Sequence, residues 1–256
     1  MKVTLITVTY NSARFLADCI QSVVRQTYPH IEYLVIDGKS TDQTVEVIKQ
    51  HEQHISKWLS EPDRGMYDAI NKGMAMATGD VIGILNSDDM LASPDVIESI
   101  VRTFKESGAE SVYGDLIYVD QKNTNKVVRY WKGFEYKRYR FLYGWMPAHP
   151  TFYIKRSLIE KYGGYESHYY TAADYEFMAR YLYTHRVSAQ YLPKMIARMR
   201  TGGQSNKTIQ ARIRANRRDY LAMKRNNIPL PLAASVLKPL IKLHQYYYTF
   251  FYKGID

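Results

Sequence analysis

Val81-Ile82-Gly83-Ile84-Leu85-Asn86-Ser87-Asp88-Asp89 runs from five apolar residues straight into a polar knot that ends in two adjacent carboxylates. Val81–Leu85 is short, apolar throughout and largely β-branched, and Thr78-Gly79-Asp80 precedes it. It reads as a buried strand. Two neighbouring carboxylates at the end of such a strand repel each other unless a cation relieves them. Hard divalent cations take oxygen ligands, and Mg²⁺ is commonly held by one or two carboxylates together with substrate phosphates. Asp88 and Asp89 could equally cap a turn, where aspartate is common.

Outward from this stretch, strands and helices alternate. Val3–Thr9 reads as a buried strand. Ala13–Gln26 carries Phe15, Cys19, Ile20 and Val23 at helical spacing. Ile31–Ile36 is a second strand, closed by Asp37-Gly38. Ser40 or Thr41 can cap a helix running to about His51. Met66–Ala77 is helical, and Ser93-Pro94 opens a further helix with Ser93 as cap. Repetition of this kind predicts a parallel sheet with helices on both faces. Ligands of such sheets bind beyond the carboxyl ends of the strands. Three polar clusters fall there: Thr9-Tyr10-Asn11, Asp37-Gly38-Lys39-Ser40 and Asn86-Ser87-Asp88-Asp89. Asp37 could bond a base or ribose, or simply hold a strand-helix junction.

The second half changes character. Ser111–Asp120 and Asn125–Trp131 predict a hairpin, Pro150–Ile154 a short strand and Ala173–Tyr183 a helix. Asp174 stands near the start of that helix beside apolar residues. Such a carboxylate suits a general base, or an acidic helix terminus favoured by the dipole. Glu176 faces elsewhere on the helix. His149, between Pro147 and Pro150, could touch substrate or be structural, and Cys19 reads as a small core residue.

The 256 residues carry a net charge of +10, unevenly spread: −6 over residues 1–100, +5 over 101–193 and +11 over 194–256. An acidic first half suits a metal. A basic end suits an anionic partner. Cys19 is the single cysteine, so no intrachain disulfide forms, which fits a reducing compartment. Val3–Val8 is too short for a leader, and no run reaches the ~18 apolar residues of a membrane span. Neither a GxGxxG nor a Walker lysine loop occurs. Thr9–Phe15 lacks the glycine-rich phosphate loop expected of a nucleotidyltransferase, and no base-reading arrangement supports a nucleic-acid partner.

Several stretches in order resemble family 2 glycosyltransferases of the GT-A fold. They are Ile6–Asn11, Asp37–Asp42, Ser60–Gly73, Thr78–Asp80, Leu85–Asp89, His149–Phe152, Gly163–Tyr165 and Ala173–Glu176. The resemblance is nearest to the branch that builds bacterial O-antigen and capsule repeats. Two positions depart from the pattern. Asn86 stands where the acidic motif often begins with aspartate, and Lys39 replaces a usual glycine.

Beyond the resembling stretches, charge and apolar spacing predict a basic amphipathic helical tail over 206–256. The resemblance itself implies a GT-A unit over residues 1–205. It implies an inverting transfer of sugar from a nucleoside diphosphate donor, UDP-linked by preference, to a lipid-linked glycan. A polyprenyl-phosphate glycosyltransferase is the alternative within the class, and a nucleotidyltransferase or an anionic-surface binding protein the alternative outside it. Thr9, Tyr10, Asn11, Asp37, Arg64 and Asp88 would bind the donor. Asp88 and Asp89 would hold Mn²⁺ or Mg²⁺, and Asp174 would be the base. His149, Tyr165 and Glu176 would lie on the acceptor side. The tail interleaves Leu237, Leu240, Ile241 and Tyr246–Tyr248 with lysines, which suits an anionic membrane at the cytoplasmic face.

Overall fold

The computed structural model describes residues 1–202, 209–241 and 244–251. Nine strands form one sheet: β1 (Val3–Thr9), β2 (Ile31–Asp37), β3 (Lys57–Ser60), β4 (Val81–Asn86), β5 (Met90–Leu91), β6 (Ser111–Val119), β7 (Val127–Trp131), β8 (Tyr153–Lys155) and β9 (Ala189–Arg200). Their order is β3-β2-β1-β4-β8-β6-β9-β5, with β7 paired to β6. β3, β2, β1 and β4 are mutually parallel. The remainder is mixed, with β8 antiparallel to both β4 and β6 and β9 parallel to β6.

The nine α-helices are α1 (Ala13–Val24), α2 (Thr44–Gln50), α3 (Met66–Met76), α4 (Val96–Ser107), α5 (Arg156–Tyr162), α6 (Ala173–Met178), α7 (Ile209–Arg225), α8 (Pro231–Ile241) and α9 (His244–Phe251), among the described residues. Alternation along β1 explains how they cover the sheet. Val3 and Leu5 face Leu16, Cys19 and Ile20 of α1 and Ile97 and Ile100 of α4. Ile6 and Val8 face Ala69 and Ile70 of α3 and the aromatic residues of α6. Each fully buried aliphatic side chain stabilises the fold by about 1.5–3 kcal/mol. Cys19 is such a residue, and burial pushes its thiol up to about 12.

Some boundaries shift. α2 starts at Thr44 because Ser40 bonds Asp37 instead of capping, while Asp42 accepts the Thr44 amide at 2.9 Å. α4 starts at Val96, after Ser93 has donated to Asp95. Pro150 lies in a short 3₁₀ turn, His149–Thr151, so β8 begins only at Tyr153. α6 passes into a π-turn over Ala179–Thr184. β9 contains Pro193, and its pairing with β6 slips around Asp115 there. Gly114 allows the slip: a Cβ on it would lie 2.7 Å from the Lys194 carbonyl.

The boundary expected between residues 205 and 206 lies outside the described residues, as do Lys207, Lys242 and Lys253. Of the helices that follow, α7 and α8 contribute Ala222, Met223 and Ala234 to the core. α9 lies along β7, where the Tyr130 amide donates to Thr249 Oγ1 at 3.0 Å. Leu232 and Val236 of α8 and Tyr246 and Tyr247 of α9 are exposed. No helix among the described residues is long and apolar enough to cross a membrane.

At the amino ends of the parallel strands, Glu32 gathers donors from three segments. Thr4 Oγ1 donates at 2.6 Å, the Thr78 amide at 2.8 Å and Lys2 Nζ at 2.9 Å. Burial would raise the Glu32 carboxyl, but these donors outweigh it and hold the group down at about 2. Glu32→Gln is expected to cost about 1–3 kcal/mol in denaturant unfolding at pH 7. Because the folded group titrates below its ordinary value, the wild-type advantage should be complete above about pH 4.5. It should shrink as pH falls toward about 2.

Candidate active site

The parallel register aligns the strand ends. Thr9 pairs with Asp37, Asp37 with Ser60, and Val8 with Asn86. Asp37 is fully buried and accepts from the Ser40 amide at 3.0 Å and from Ser60 Oγ at 2.6 Å. Asn11 joins the first two loops: its amide donates to Ser40 Oγ at 2.8 Å, and its Oδ1 accepts the Thr41 amide at 2.8 Å. Lys39 adopts φ 62°, keeping the left-handed turn that glycine would take. Gly38 leaves room for the Asp63 carboxylate, which a Cβ there would displace. Tyr10 is exposed on the lip beside it. Arg64 is also exposed and pairs with Asp68 at 2.8 Å.

At the end of β4, Asp89 is fully buried while Asp88 is only partly so. Asn86 Nδ2 donates to Asp89 Oδ2 at 3.0 Å. Asp89 Oδ1, Asn86 Oδ1 and Thr9 Oγ1 are buried without a hydrogen-bond partner among the described residues. Burial, and then the Asp88 charge, push the Asp89 carboxyl well up; burial also raises Asp88. Arg200, at the end of β9, donates to the Asp88 carbonyl at 2.9 Å and to Asp18 of α1. A carboxylate pair with an unmet buried oxygen fits a hard divalent cation. No cluster of three or more metal-ligating side chains occurs among the described residues, so further ligands would come from substrate oxygens.

A second group assembles around Asp174, which is partly exposed at the start of α6. His149 Nε2 and the Tyr165 hydroxyl are 2.7 Å apart. The Tyr67 ring stacks on Tyr165 at 5.3 Å and meets His149 edge-on. The Asp174 charge acts on all three. Burial first, and then Asp174, raise the Tyr67 and Tyr165 hydroxyls. Burial lowers His149, with Asp174 opposing, so its ring is neutral at neutral pH. Tyr165 continues a ladder of rings through Phe177 at 4.2 Å and Tyr181 at 4.3 Å from it. Asn71 of α3 holds the ladder's end by exchanging two hydrogen bonds with the Tyr165 backbone, each 2.8 Å. Tyr118 on β6 lies in the fields of both Asp89 and Asp174.

The Glycosyl transferase family 2 profile matches residues 4–163, which span β1 to β4 and the loops at their ends. The chain is a family 2 glycosyltransferase. An uncharacterized glycosyltransferase of Mycobacterium tuberculosis is 34% identical over 180 residues, 70% of this chain and 68% of that protein. A PGL/p-HBAD biosynthesis glycosyltransferase of Mycobacterium bovis is 29% identical over 208 residues, 79% and 78% of the two chains. Among solved structures, Staphylococcus aureus TarS 1–349 with UDP-GlcNAc superposes with a TM-score of 0.69 at 18% identity, covering 97% of this chain and 73% of that one. The mannosyltransferase PcManGT from Pyrobaculum calidifontis, with GDP-Man and Mn²⁺, gives 0.67 at 19% identity, covering 100% and 76%. This chain spans 44% of the longer TarS chain. The glycosyltransferase fold is GT-A, a mixed sheet flanked by helices.

In this glycosyltransferase, Thr9, Asn11, Asp37, Asp88 and Asp89 share one edge, and His149 and Tyr165 meet beside Asp174. Glu176 stands apart. It is fully buried, and its oxygens receive Arg180 Nε at 3.0 and 3.3 Å. Arg180 also donates to the Gly164 carbonyl at 2.6 Å, so Glu176 holds the loop before Tyr165 and does not face the cleft. Asp63 and Tyr67 stand in the resembling stretch Ser60–Gly73 without a role assigned there, and Arg200 carries no mark in the sequence; the folded chain brings all three to the site. Glu176→Ala would strand the Arg180 charge, and is expected to cost about 3–5 kcal/mol in denaturant unfolding. Asp174→Asn, at a partly exposed position, should stay within about 1 kcal/mol of wild type.

Proposed function

We propose that the enzyme is an inverting glycosyltransferase. It moves a sugar from a nucleoside diphosphate, UDP by preference, to a hydroxyl of a lipid-linked surface glycan. The observation that carries this reading is the row of unpartnered buried oxygens on Thr9, Asn86 and Asp89 beside Asp88, with Asp174 in the other half of the cleft. Tyr10, Asp63 and the Asn11–Thr41 loops would frame the nucleotide, with Arg64 near the donor. TarS with UDP-GlcNAc and PcManGT with GDP-Man and Mn²⁺ bind donors of this class on the same fold.

Asp174 takes the proton of the acceptor hydroxyl while that oxygen forms its bond to the anomeric carbon. The bond to the donor's diphosphate oxygen breaks in the same displacement and configuration inverts, through a transition state of oxocarbenium character. His149 and Tyr165 line the acceptor side and keep it apolar and drained of water. Asp88 and Asp89 would hold Mn²⁺ or Mg²⁺, which when bound would supply charge neutralisation for the leaving nucleoside diphosphate. Residues 1–205 carry this chemistry. The basic helices beyond them, with Leu232, Val236, Tyr246 and Tyr247 exposed, rest against the anionic cytoplasmic face of a membrane.

Nucleotide release from a panel of sugar nucleotides should require divalent metal and stop in EDTA. Asp174→Asn should lower turnover by at least ~10²-fold with donor affinity unchanged. Near-normal turnover would place the base elsewhere. Without metal, Asp89→Asn should melt at or above the wild-type temperature, because it removes a buried charge facing Asp88. Mn²⁺ with UDP should then raise the melting temperature of wild type alone; an equal rise in the variant would exclude Asp89 as a ligand.

A further inference from the structure

α7 packs on the segment Ser167–Ala172, which leads directly into Asp174. Between them lies a cleft of about 520 Å³ lined by His168, Tyr169, Arg218, Leu221, Lys224 and Arg225. The Arg218 guanidinium stacks on the Tyr170 ring at 4.3 Å. The acids nearby are already engaged. Glu166 lies 3.6 Å from His168 Nε2, Glu176 pairs with Arg180, and Asp219 with Lys238 at 2.7 Å. Among the described residues, no carboxylate lies within ion-pair distance of Arg218, Lys224 or Arg225. Arg218, Lys224 and Arg225 therefore share one open cleft with no carboxylate in ion-pair contact, an arrangement that attracts an anion. Tyr170 has φ 48° and ψ −118°, a conformation that persists only where surroundings enforce it and that clusters at binding segments.

We propose that this cleft binds the phosphoryl group of the acceptor, a phosphate or diphosphate ester. The chemistry of the lining fits: two guanidiniums offer paired donors matched to phosphoryl oxygens, and a lysine adds a point charge. Leu221 and Tyr169 give apolar surface for the first carbons of the ester's chain. The position fits as well. The cleft's lining residue Tyr169 stands five residues before Asp174, and the cleft belongs to none of the strand ends that form the donor edge. The proposal rests on Asp174 being the base, since only that reading makes this the acceptor side. It adds the acceptor's charge as a feature the enzyme reads.

The test uses full-length enzyme and geranyl diphosphate, titrated in EDTA so that metal-assisted binding at the donor edge does not contribute. Wild type should bind it with a steep loss of affinity as salt rises. Arg218→Ala/Arg225→Ala should weaken binding by at least ~10-fold at unchanged melting temperature. Lys224→Ala, which leaves the Tyr170 stack intact, should weaken it less. Asp89→Asn and Asp174→Asn should bind as wild type does, so a failure of the base assignment shows in turnover alone. No binding by wild type, or equal affinity in the double variant, would overturn the proposal. So would a double variant that loses only phosphatidylglycerol vesicles while keeping geranyl diphosphate, since the cleft would then serve a bilayer headgroup.

Discussion

Parallel pairing of β1 between β2 and β4 is the constraint on which the donor edge depends. Parallel strands end on the same side, so Thr9, Asp37 and Asn86 reach one edge together. A register slip of one residue would turn each side chain to the opposite face. The alternation of Val3 and Leu5 against Ile6 and Val8, each set in its own core, makes such a slip costly. The Glu32 junction pins the other end of the same strands, opposite the loops that carry the chemistry.

Two buried acids show how differently the fold treats charge. Glu176 receives Arg180 from two directions, and the pair orders a loop. Asp89 receives Asn86 on one oxygen and leaves the other unmet beside Asp88. A fold that satisfies one carboxylate so fully and leaves another half satisfied is departing from consistency at the place where a ligand belongs. Arg200 moderates the departure: it reaches the Asp88 carbonyl and Asp18, so the last residue of β9 braces the end of β4 and α1 together.

Much of this was legible in the residues. β1, β2 and β4 announce themselves as short β-branched runs closed by polar clusters, and Asp88, Asp89 and Asp174 stand where a strand ends or a helix starts. β9 hides because Pro193 and the alternating Lys194, Arg198 and Arg200 resemble neither a strand nor an amphipathic helix. β3 and β5 are too short to show a period. Ser40, Thr41 and Ser93 have the chemistry of caps, yet a long-range bond to Asn11 and local bonds to Asp37 and Asp95 claim them first. The roles of Asp63, Tyr67 and Arg200 depend on contacts across long sequence separations, although the first two stand in the resembling stretch Ser60–Gly73. His149 and Tyr165 came forward by resemblance, and only the fold makes them neighbours.

The ring ladder from Tyr67 through Tyr165 and Phe177 to Tyr181 has a thermodynamic consequence. An aromatic side chain has only two rotatable angles, and stacking removes what freedom they allow. The conformational entropy lost in placing the Tyr165 hydroxyl against His149 is therefore surrendered when the chain folds, not when an acceptor arrives. In the proposed acceptor-side role, a wall ordered in advance would let more of an acceptor's contact energy appear as affinity and orientation.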